Sequence, residues 1–378
     1  MITIAIVACC TLLALAPPRR PFALGALSFL GSFALNELPF ATFAYLSFST
    51  WLGLDQNDSG SPAAWAIISL AAVTAGGLAL VTWRGLRAGP AVTRALVEGL
   101  GAGCRLVVGD RPLPLARIVF APLYFRRRDV RRVANIRYGD AGRKNLLDVY
   151  CRRDQASGGA VLVHLHGGAL VMGKKNRDAL PRLYRLASQG WVCVSANYRL
   201  RPAAQFPDYL IDVKKVIAWV REHAHEYSAD EHSADPAVVF IAGTSAGGQL
   251  AALAALTPND PGYQPGFEHA DTSVAGAICL NGYYGEAGGV DSPLACDMRG
   301  APPFFLAHGD RDSLVAVEAA RLFAARLRAG SANPVVYAEL PGAQHGFDRF
   351  HSLRFAAVIA GIEAFTSYIR DTIGSSVA

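Results

Sequence analysis

The sequence predicts an α/β fold with a mostly parallel sheet, preceded by a region of transmembrane helices. From about Ala134 onward, short apolar segments rich in β-branched and aromatic residues alternate with segments of helical periodicity. This alternation is typical of a parallel sheet that helices cover on both faces. The first ninety residues consist instead mainly of long uncharged segments. A chain of 378 residues therefore has room for one domain of roughly 250 residues and a smaller helical region.

The N-terminal region has the composition of membrane helices. Apolar residues make up 52% of the whole chain and charged residues only 17%, and the apolar excess lies before residue 90. The run 63–83 carries no charge over about the 20 residues that cross a bilayer, and it stops at Arg84. The run 22–54 is also apolar, and the run 2–17 is shorter. We therefore expect two or three transmembrane helices within residues 1–88.

The distribution of basic residues predicts the orientation of these helices. The arginine pair at 19–20 and the arginines after residue 83 should face the cytoplasm, and the segment 55–62, which has no Lys or Arg, should face outward. One tilted or kinked helix through 22–54 satisfies this rule, whereas a hairpin that breaks at 36–39 would put the two basic loops on opposite sides. We expect the single helix, and so a multi-pass protein of the cell membrane whose larger domain lies on the cytoplasmic side.

The formal net charge of +6 is concentrated between Gly101 and Val133. That segment holds eight arginines and two aspartates, so the charges of the rest of the chain cancel. The arginines are Arg105, Arg111, Arg117, Arg126, Arg127, Arg128, Arg131 and Arg132. Because the apolar run 116–125 lies among them, we predict that residues 89–133 form a basic amphipathic linker on the headgroups of the inner membrane face. A solvated linker is the alternative, and no motif supports nucleic-acid binding.

The expected elements of the larger domain follow in chain order from residue 134 to residue 378. The strand-like segments are 145–151, 160–166, 191–200, 238–243, 275–282, 304–309 and 335–342. The clearest helical segments are 209–222, 315–328 and 353–370. Ligands of such a sheet lie at the carboxyl ends of its strands. Of the seven cysteines, Cys193 and Cys279 lie inside strand-like segments, which predicts buried reduced thiols, and no C-x-x-C spacing predicts a metal site.

The segment 238–253 changes from a strand into an alanine-rich helix within the pentapeptide Gly243-Thr244-Ser245-Ala246-Gly247. A turn this sharp needs very small residues two positions before and after its tip, and it exposes the residue at the tip. This is the pattern of the G-x-S-x-G nucleophile elbow, in which the serine attacks the substrate. A glycine-rich helix cap and a phosphate-binding loop are the alternative interpretations of the pentapeptide alone.

A serine nucleophile of this type needs a base and an acid that orients the base, in the chain order Ser, Asp or Glu, His. After Ser245, the strand-like segment 304–309 leads into a loop with Asp310 and Asp312. Asp312 lies just before the next helix, where a carboxylate can reach across the strand ends, so it is the expected acid. Asp310 is the competitor, and a helix N-cap is the alternative role of Asp312.

His345 is the expected base because it lies in the glycine-rich loop after the next strand, where it can lean over Ser245. His351 is a rival, but it opens the last helix, where capping or exposure to solvent is expected instead. His269 precedes the candidate aspartates, and His308 belongs to the strand before them. A lone loop histidine is often only a surface residue, so the choice of His345 depends on its position.

Backbone donors for a tetrahedral oxyanion are expected upstream, in the segment 164–173. Gly167 and Gly168 follow a buried strand and let N–H groups point at one spot without obstruction by side chains. A plain glycine turn would not predict this placement two strands before a serine elbow. His166 precedes the serine in the chain, so we expect it to hold the loop by a hydrogen bond rather than to act as the base.

These motifs resemble those of the hormone-sensitive-lipase-like branch of the α/β-hydrolases. The resembling segments are HGGAL at 166–170, NYRLRPAAQFPDYLIDV at 197–213, GTSAGG at 243–248, HGDRDSLV at 308–315 and QHGF at 344–347. The longer segment 172–200 is similar to actinobacterial membrane-anchored carboxylesterases with an apolar N-terminal region. The resemblance is close from Asn145 to about Phe350 and covers the N-terminal helices only in general character.

The resemblance implies an α/β-hydrolase fold and the hydrolysis of carboxylic esters through an acyl-enzyme, with no metal and no organic cofactor. Carried over by position, Ser245 is the nucleophile, His345 the general base and acid, and Asp312 the carboxylate that orients it. The implied oxyanion donors are the N–H groups of Gly167, Gly168, Ala169 and Ala246. Many relatives have a third glycine where this chain has Ala169, so the resemblance implies a narrower tolerance for bulky acyl or alcohol groups. Many also have an acidic residue where this chain has Thr244.

The sequence as a whole thus predicts a membrane-anchored serine carboxylesterase or lipase that acts on a small ester or a lipid. An amidase such as an arylformamidase is the alternative among enzymes, because the same triad cleaves activated amides. A membrane-bound scaffold on an inactive hydrolase fold is the alternative from another class of protein. A missing triad residue would favour the scaffold, and none is missing.

Overall fold

The computed structural model describes residues 1–58, 60–102, 112–154, 160–227, 238–285 and 289–377. Arg105 and Arg111 of the basic segment lie outside the described residues. The N-terminal part of the chain is helical. Its helices are α1 (Ile2–Leu15), α2 (Phe22–Glu37), α3 (Pro39–Asp55), α4 (Pro62–Leu86), α5 (Ala88–Leu100) and α6 (Leu115–Phe120).

Helices α4 and α5 together run over Pro62–Leu100, the one helix of the described ranges that is long and apolar enough to cross a membrane. Helices α2 and α3 pass the same test only as a pair that bends by 95°. The bend falls at Leu38, because Pro39 disfavours a helical conformation of the residue before it and begins a new helix. The apolar run 22–54 therefore forms two helices that meet at a sharp bend, where we expected one tilted or kinked helix.

Eight strands form one mixed sheet within the described part of the chain. They are β1 (Val130–Arg137), β2 (Leu146–Arg152), β3 (Val161–Leu165), β4 (Val192–Ala196), β5 (Val239–Thr244), β6 (Gly276–Leu280), β7 (Phe304–Gly309) and β8 (Val335–Leu340). Their order is β1-β2-β4-β3-β5-β6-β7-β8. Strand β2 is antiparallel to both of its neighbours, β1 and β4. The strands β3 to β8 are all parallel to one another.

Helices cover both faces of this sheet, as the alternating pattern predicts. The helices that follow the strands are α7 (Leu180–Ala187), α8 (Asp208–His223), α9 (Ala246–Leu256), α10 (Val317–Gly330) and α11 (Leu353–Val377). One core cluster joins the sheet to α8, α9 and α10, for example through Val213, Leu250 and Phe323. The other joins it to α7 and α11, for example through Leu183 and Ile362. Strand β5 is buried from end to end, which fixes the position of the turn that follows it.

The expected linker at 89–133 is partly wrong, because its first helix belongs to the core of the α/β unit. Helix α5 buries Ala88, Val92, Ala95 and Leu96 in the same cluster as α11, with at most 2% of each side chain exposed. An apolar face of this spacing needs a partner, and the sheet and α11 supply one. This role was not predicted, because the arginines that follow dominate the charge pattern of the segment.

Strand β1 also crosses the expected domain boundary at residue 134, and two of its three arginines are bound to the neighbouring strand. Arg132 forms an ion pair with the buried carboxylate of Asp148 at 2.5 Å, and the Arg131 Nε donates to the Cys151 sulfur at 3.2 Å. These two side chains are therefore held by the sheet rather than free to follow a lipid surface. Arg126 and Arg128 are exposed, as the prediction of a lipid-facing segment requires.

Candidate active site

The pentapeptide at 243–247 forms a sharp turn between strand β5 and helix α9. Ser245 at its tip has φ 58° and ψ −123°, a conformation that residues with side chains rarely adopt. A Cβ atom on Gly243 would lie 2.0 Å from the carbonyl oxygen of Gly247, and one on Gly247 would lie 2.1 Å from that of Leu165. Because backbone atoms cannot yield this much space, the two glycines are required by the geometry of the turn.

His345 and Asp312 lie together on the loops that follow strands β8 and β7. The His345 Nδ1 is 2.6 Å from the Asp312 Oδ2, and both side chains are buried. The other oxygen of Asp312 accepts hydrogen bonds from the N–H groups of Leu314 and Val315. The carboxylate therefore also fixes the backbone of its own loop, in the way that an N-cap side chain does. A charge-assisted bond of this length orients the imidazole.

Asp312 has a second histidine partner that the sequence did not predict. The His308 Nε2 lies 3.3 Å from the same Oδ2 and 3.1 Å from the carbonyl oxygen of Val315. Burial alone would raise the pKa of Asp312, but the charges and hydrogen bonds of His345 and His308 hold it below the ordinary value. The carboxylate is therefore ionised at neutral pH. Asp310, the competitor, instead accepts from the Gly342 N–H at 2.7 Å.

The loop of His345 is connected to the serine turn by a second contact. The Thr244 hydroxyl, adjacent to Ser245, donates to the Asp348 Oδ2 at 2.9 Å in the buried interior. Arg182, which is fully buried, lies 3.6 Å from the same carboxylate. Asp348 thus places an acidic group beside Thr244. Among the described residues, no hydrogen bond joins the Ser245 hydroxyl to His345, a contact that often forms only with substrate bound.

The upstream glycine loop reaches the serine turn, but one of its expected donors is occupied. A Cβ atom on Gly167 would lie 3.2 Å from the Cβ of Ser245, which shows how closely the two segments approach. The Gly167 N–H donates to the Asp178 Oδ2 at 3.1 Å, so the expectation that it binds an oxyanion is wrong for this structure. Gly168 and Ala169 have φ values of 120° and 54°, which turn the chain back on itself after the strand.

The remaining expected donor, Ala246, is the first residue of helix α9, whose first N–H groups have no partner within the helix. His166 contacts its own loop: its Nδ1 lies 2.8 Å from the Gly167 carbonyl oxygen, and its ring stacks on Tyr198 with the centroids 4.4 Å apart. This placement agrees with the holding role that we expected for it. Burial lowers the pKa of His166, which keeps the imidazole neutral. Among the described residues, no group of three His, Cys, Asp or Glu side chains could hold a metal ion.

Helix α2 lies against the loops of Asp312 and His345. This packing was not predicted from the sequence. Ser313 is the residue after Asp312, and its hydroxyl donates to the Gly25 carbonyl oxygen at 2.8 Å. On the other loop, the Gln344 Nε2 donates to the Ser32 hydroxyl at 3.4 Å. The Gln344 Oε1 accepts from the N–H groups of both Ser313 and His345, at 2.7 and 3.0 Å. Gln344 therefore ties the two loops to each other and to the helix.

Aromatic side chains from the same helix reach the imidazole. The ring of Phe29 packs edge-to-face on His345 with the centroids 5.9 Å apart, and Phe33 stacks on both Phe29 and Phe350. At the end of the helix, Glu37 forms a buried ion pair with Arg354 at 3.2 Å, at the start of α11. The local signal for this docking is the small and polar stripe of α2, which includes Gly25, Ser28, Ser32 and Asn36.

The fold and the serine turn define the class of the protein, an α/β-hydrolase. Esterase 2 of Thermogutta terrifontis has a similar structure, with a TM-score of 0.52 and 26% identity over 63% of this chain and 92% of that one. A carbohydrate esterase from gut microbiota, at 20% identity and a TM-score of 0.53, shares the fold over 64% of this chain and 96% of its own. The family model BD-FAE matches residues 147–279.

Sequence relatives narrow the class to a family. The "Probable carboxylic ester hydrolase LipM" of Mycobacterium tuberculosis is 38% identical over 80% of this chain and 78% of its own length. The "Esterase LipQ" of the same organism is 36% identical over 76% of both chains. The chain therefore belongs to this family of esterases and is a carboxylic ester hydrolase, which confirms the resemblance inferred from the motifs.

Proposed function

We propose that the protein is a membrane-anchored serine carboxylesterase or lipase that works through Ser245, His345 and Asp312. The observation that carries the proposal is the buried His345–Asp312 pair on loops beside a serine in a nucleophile elbow. The Thr244–Asp348 hydrogen bond supports it, because it holds the histidine loop against the serine turn. The membership of an esterase family supports the same reaction.

In the proposed reaction, the Ser245 Oγ attacks the ester carbonyl carbon while the His345 Nε2 takes its proton. The N–H groups of Gly168, Ala169 and Ala246 are the candidate donors for the oxyanion. The bond to the alcohol breaks as His345 returns the proton to the leaving oxygen, which leaves an acyl-serine. Water then attacks the acyl group, with His345 as the base, and Ser245 leaves with the proton. Asp312, ionised throughout, stabilises the imidazolium in both halves.

Anchoring in the membrane is supported by the exposed apolar side chains of helices α3 and α4. Phe48 and Trp51 of α3 and Trp65, Val73 and Trp83 of α4 are each more than half exposed. A soluble surface rarely carries so many large apolar side chains close together. We propose that α4 crosses the membrane, that α3 inserts beside it, and that the α/β unit lies on the cytoplasmic side. The domain boundary of this proposal falls near residue 87 rather than after a linker.

The ring contacts of helix α2 favour a substrate with an apolar group. Phe29, Phe33 and Phe350 form a continuous aromatic surface that begins at His345, and all three are half-buried. Such a surface can receive the acyl or alcohol part of an ester that is dissolved in the membrane. An arylformamidase would also find an aromatic surface there, so this activity remains the second candidate.

Labelling with a fluorophosphonate probe tests the catalytic proposal. The full-length protein should be labelled, and Ser245→Ala should not be. A panel of p-nitrophenyl esters of increasing chain length, set against aryl formamides, separates the esterase from the amidase. Labelling of Ser245→Ala, or of neither protein, would contradict the proposed nucleophile.

Extraction from membranes tests the anchor separately. The full-length protein should resist high salt and dissolve in detergent, because apolar helices rather than charges hold it. Release by salt alone would show that α3 and α4 do not enter the bilayer, and it would leave the catalytic proposal untouched.

A further inference from the structure

A large cavity lies away from the proposed catalytic residues, between helices α5, α6 and α11. Its volume is about 890 Å³, within the roughly 300–1,000 Å³ that is usual for ligand sites. Apolar side chains of all three helices, such as Val97, Ile118 and Ile359, form much of its wall. None of Ser245, Asp312 and His345 lines it.

The charged groups of the cavity are mostly arginines. Its lining includes Arg94, Arg117, Arg127 and Arg185, against a single acidic residue, Glu98. Arg127 lies 3.6 Å from Asp129 at the surface, and Arg185 is paired with Glu363 at 2.8 Å. Within the described ranges, neither Arg94 nor Arg117 forms an ion pair. The cavity therefore has an excess of positive charge.

The surroundings of Arg117 and His351 agree with this excess. Burial and the nearby charges of Arg127 and Arg185 lower the pKa of Arg117. His351, only 6% exposed, also lines the cavity, and it adds no negative charge to it. Guanidinium groups gathered around one cavity favour an anionic group with several acceptor oxygens.

The position of the cavity indicates where such an anion comes from. Gly85 and Leu86, at the end of the proposed membrane helix α4, form part of its wall. Arg87 lies over the ring of the exposed Trp83, with 5.0 Å between the guanidinium carbon and the ring centroid. Aromatic and basic side chains together are typical of the headgroup layer of a membrane. On the other side, Leu115 and Phe120 of α6 are 53% and 84% exposed.

We propose that this cavity binds an anionic phospholipid, with the phosphate between Arg94 and Arg117 and an acyl chain along the apolar wall. The site rests on the proposed membrane anchor only for the source of the lipid, and it is independent of the catalytic proposal. It differs from a general attraction between basic residues and membranes, because it requires particular arginines that line a cavity.

Binding to the full-length protein in detergent tests the site, with phosphatidylglycerol as the probe. Phosphatidylcholine with the same acyl chains and inorganic phosphate serve as the comparison ligands. We expect phosphatidylglycerol to bind about tenfold more tightly than phosphatidylcholine. The double variant Arg94→Gln/Arg117→Gln should lower that affinity about tenfold or more. Arg94→Lys/Arg117→Lys should retain most of it, because the charges remain.

The matched control is Arg126→Gln/Arg128→Gln, which removes two exposed charges of the same segment outside the cavity. We expect it to change the affinity less than about twofold. Melting temperatures of all variants show whether each has folded, and the lysine variant keeps the test valid if the glutamine variant has not. Equal effects of the two glutamine pairs, equal binding of the two lipids, or equal binding of inorganic phosphate would each overturn the proposal.

Discussion

Helices α2 and α4 have similar apolar compositions but opposite relations to the rest of the molecule. The buried face of α4 consists mainly of apolar residues such as Ile67, Leu78 and Val81, and it packs on the other N-terminal helices. The buried face of α2 is small and polar, and it lies on the loops of Asp312 and His345. Both helices expose large apolar side chains on their other faces.

The difference shows that an apolar helix need not be only an anchor. Small residues let two backbones approach closely, and buried hydroxyl and amide groups need partners that a lipid cannot supply. Gly25 illustrates the first point, since a Cβ atom there would lie 2.5 Å from the carbonyl oxygen of Ser313. Asn36 illustrates the second, because its amide donates to the Gly342 carbonyl oxygen at 3.0 Å. We infer that α2, although it lies before the proposed domain boundary near residue 87, supports the catalytic loops.

The largest expected effect comes from substituting the proposed nucleophile and base, Ser245 and His345. Ser245→Ala and His345→Ala should each lower ester turnover at least roughly a thousandfold. The two residues act as a unit, so the double variant should be little worse than either single variant. Steady-state kinetics on a soluble ester measures all three. Additive losses would mean that His345 is not the partner of Ser245, and that α2 rests on loops without a catalytic role.

The next effect separates the two aspartates of the loop that α2 contacts. Asp312→Asn should lower turnover roughly a hundred- to ten-thousandfold, because the imidazole loses the carboxylate that fixes its tautomer. Asp310→Asn should keep most of the activity, since Asp310 contacts the backbone of Gly342 instead. The same ester assay gives both values, and the reverse ranking would contradict the assignment of Asp312.

A pair of glycine substitutions tests the comparison of the helices directly. Gly25→Ala places a methyl group 2.5 Å from a backbone oxygen next to Asp312, so one of the two segments must shift. Because a displacement of about 1 Å can cost a hundredfold in rate, we expect a loss of roughly ten- to a hundredfold in kcat.

Gly76→Ala in α4 is the matched control, since nothing lies within 4 Å of its Cβ position. It should leave kcat unchanged and stabilise the helix by at most about 1 kcal/mol. Melting temperatures separate a shift of the catalytic loop from a failure to fold. Equal kcat values for the two alanine variants would remove the distinction between α2 and α4.

The smallest expected effect concerns His351 and the pH dependence of stability. Burial and the charges of three nearby arginines lower the pKa of His351 from 6.5 to about 4. The unfolded chain therefore binds more protons than the folded one between these pH values, and stability falls as the pH falls through this window. The loss is at most about 3 kcal/mol.

His351→Gln removes this titration, so its melting temperature should depend less on pH between about 6.5 and 4. The difference between the two proteins, measured across that window, should amount to several degrees at the acidic end. Parallel pH profiles of the two proteins would show that His351 is not held in its neutral form.

The sequence by itself determined the parts of this protein that depend on local sterics and on strand order. The elbow of Ser245 follows from five adjacent residues, because only glycines fit beside such a turn. The placement of His345 and Asp312 follows from parallel strands, whose carboxyl ends meet at one edge of the sheet. Every strand-like segment predicted after residue 144 is a strand of the sheet.

Tertiary structure alone decided which backbone donors are free and what the apolar helices contact. The Asp178 carboxylate, eleven positions further along the chain, accepts a hydrogen bond from the Gly167 N–H, and no local sequence pattern predicts that contact. Ser32 is hydrogen-bonded to Gln344, which is 312 residues away in the sequence, and Glu37 to Arg354, which is 317 residues away. Hydropathy measures only how apolar a helix is. Whether its polar stripe faces another helix, a lipid or a catalytic loop depends on the partner that folding brings against it.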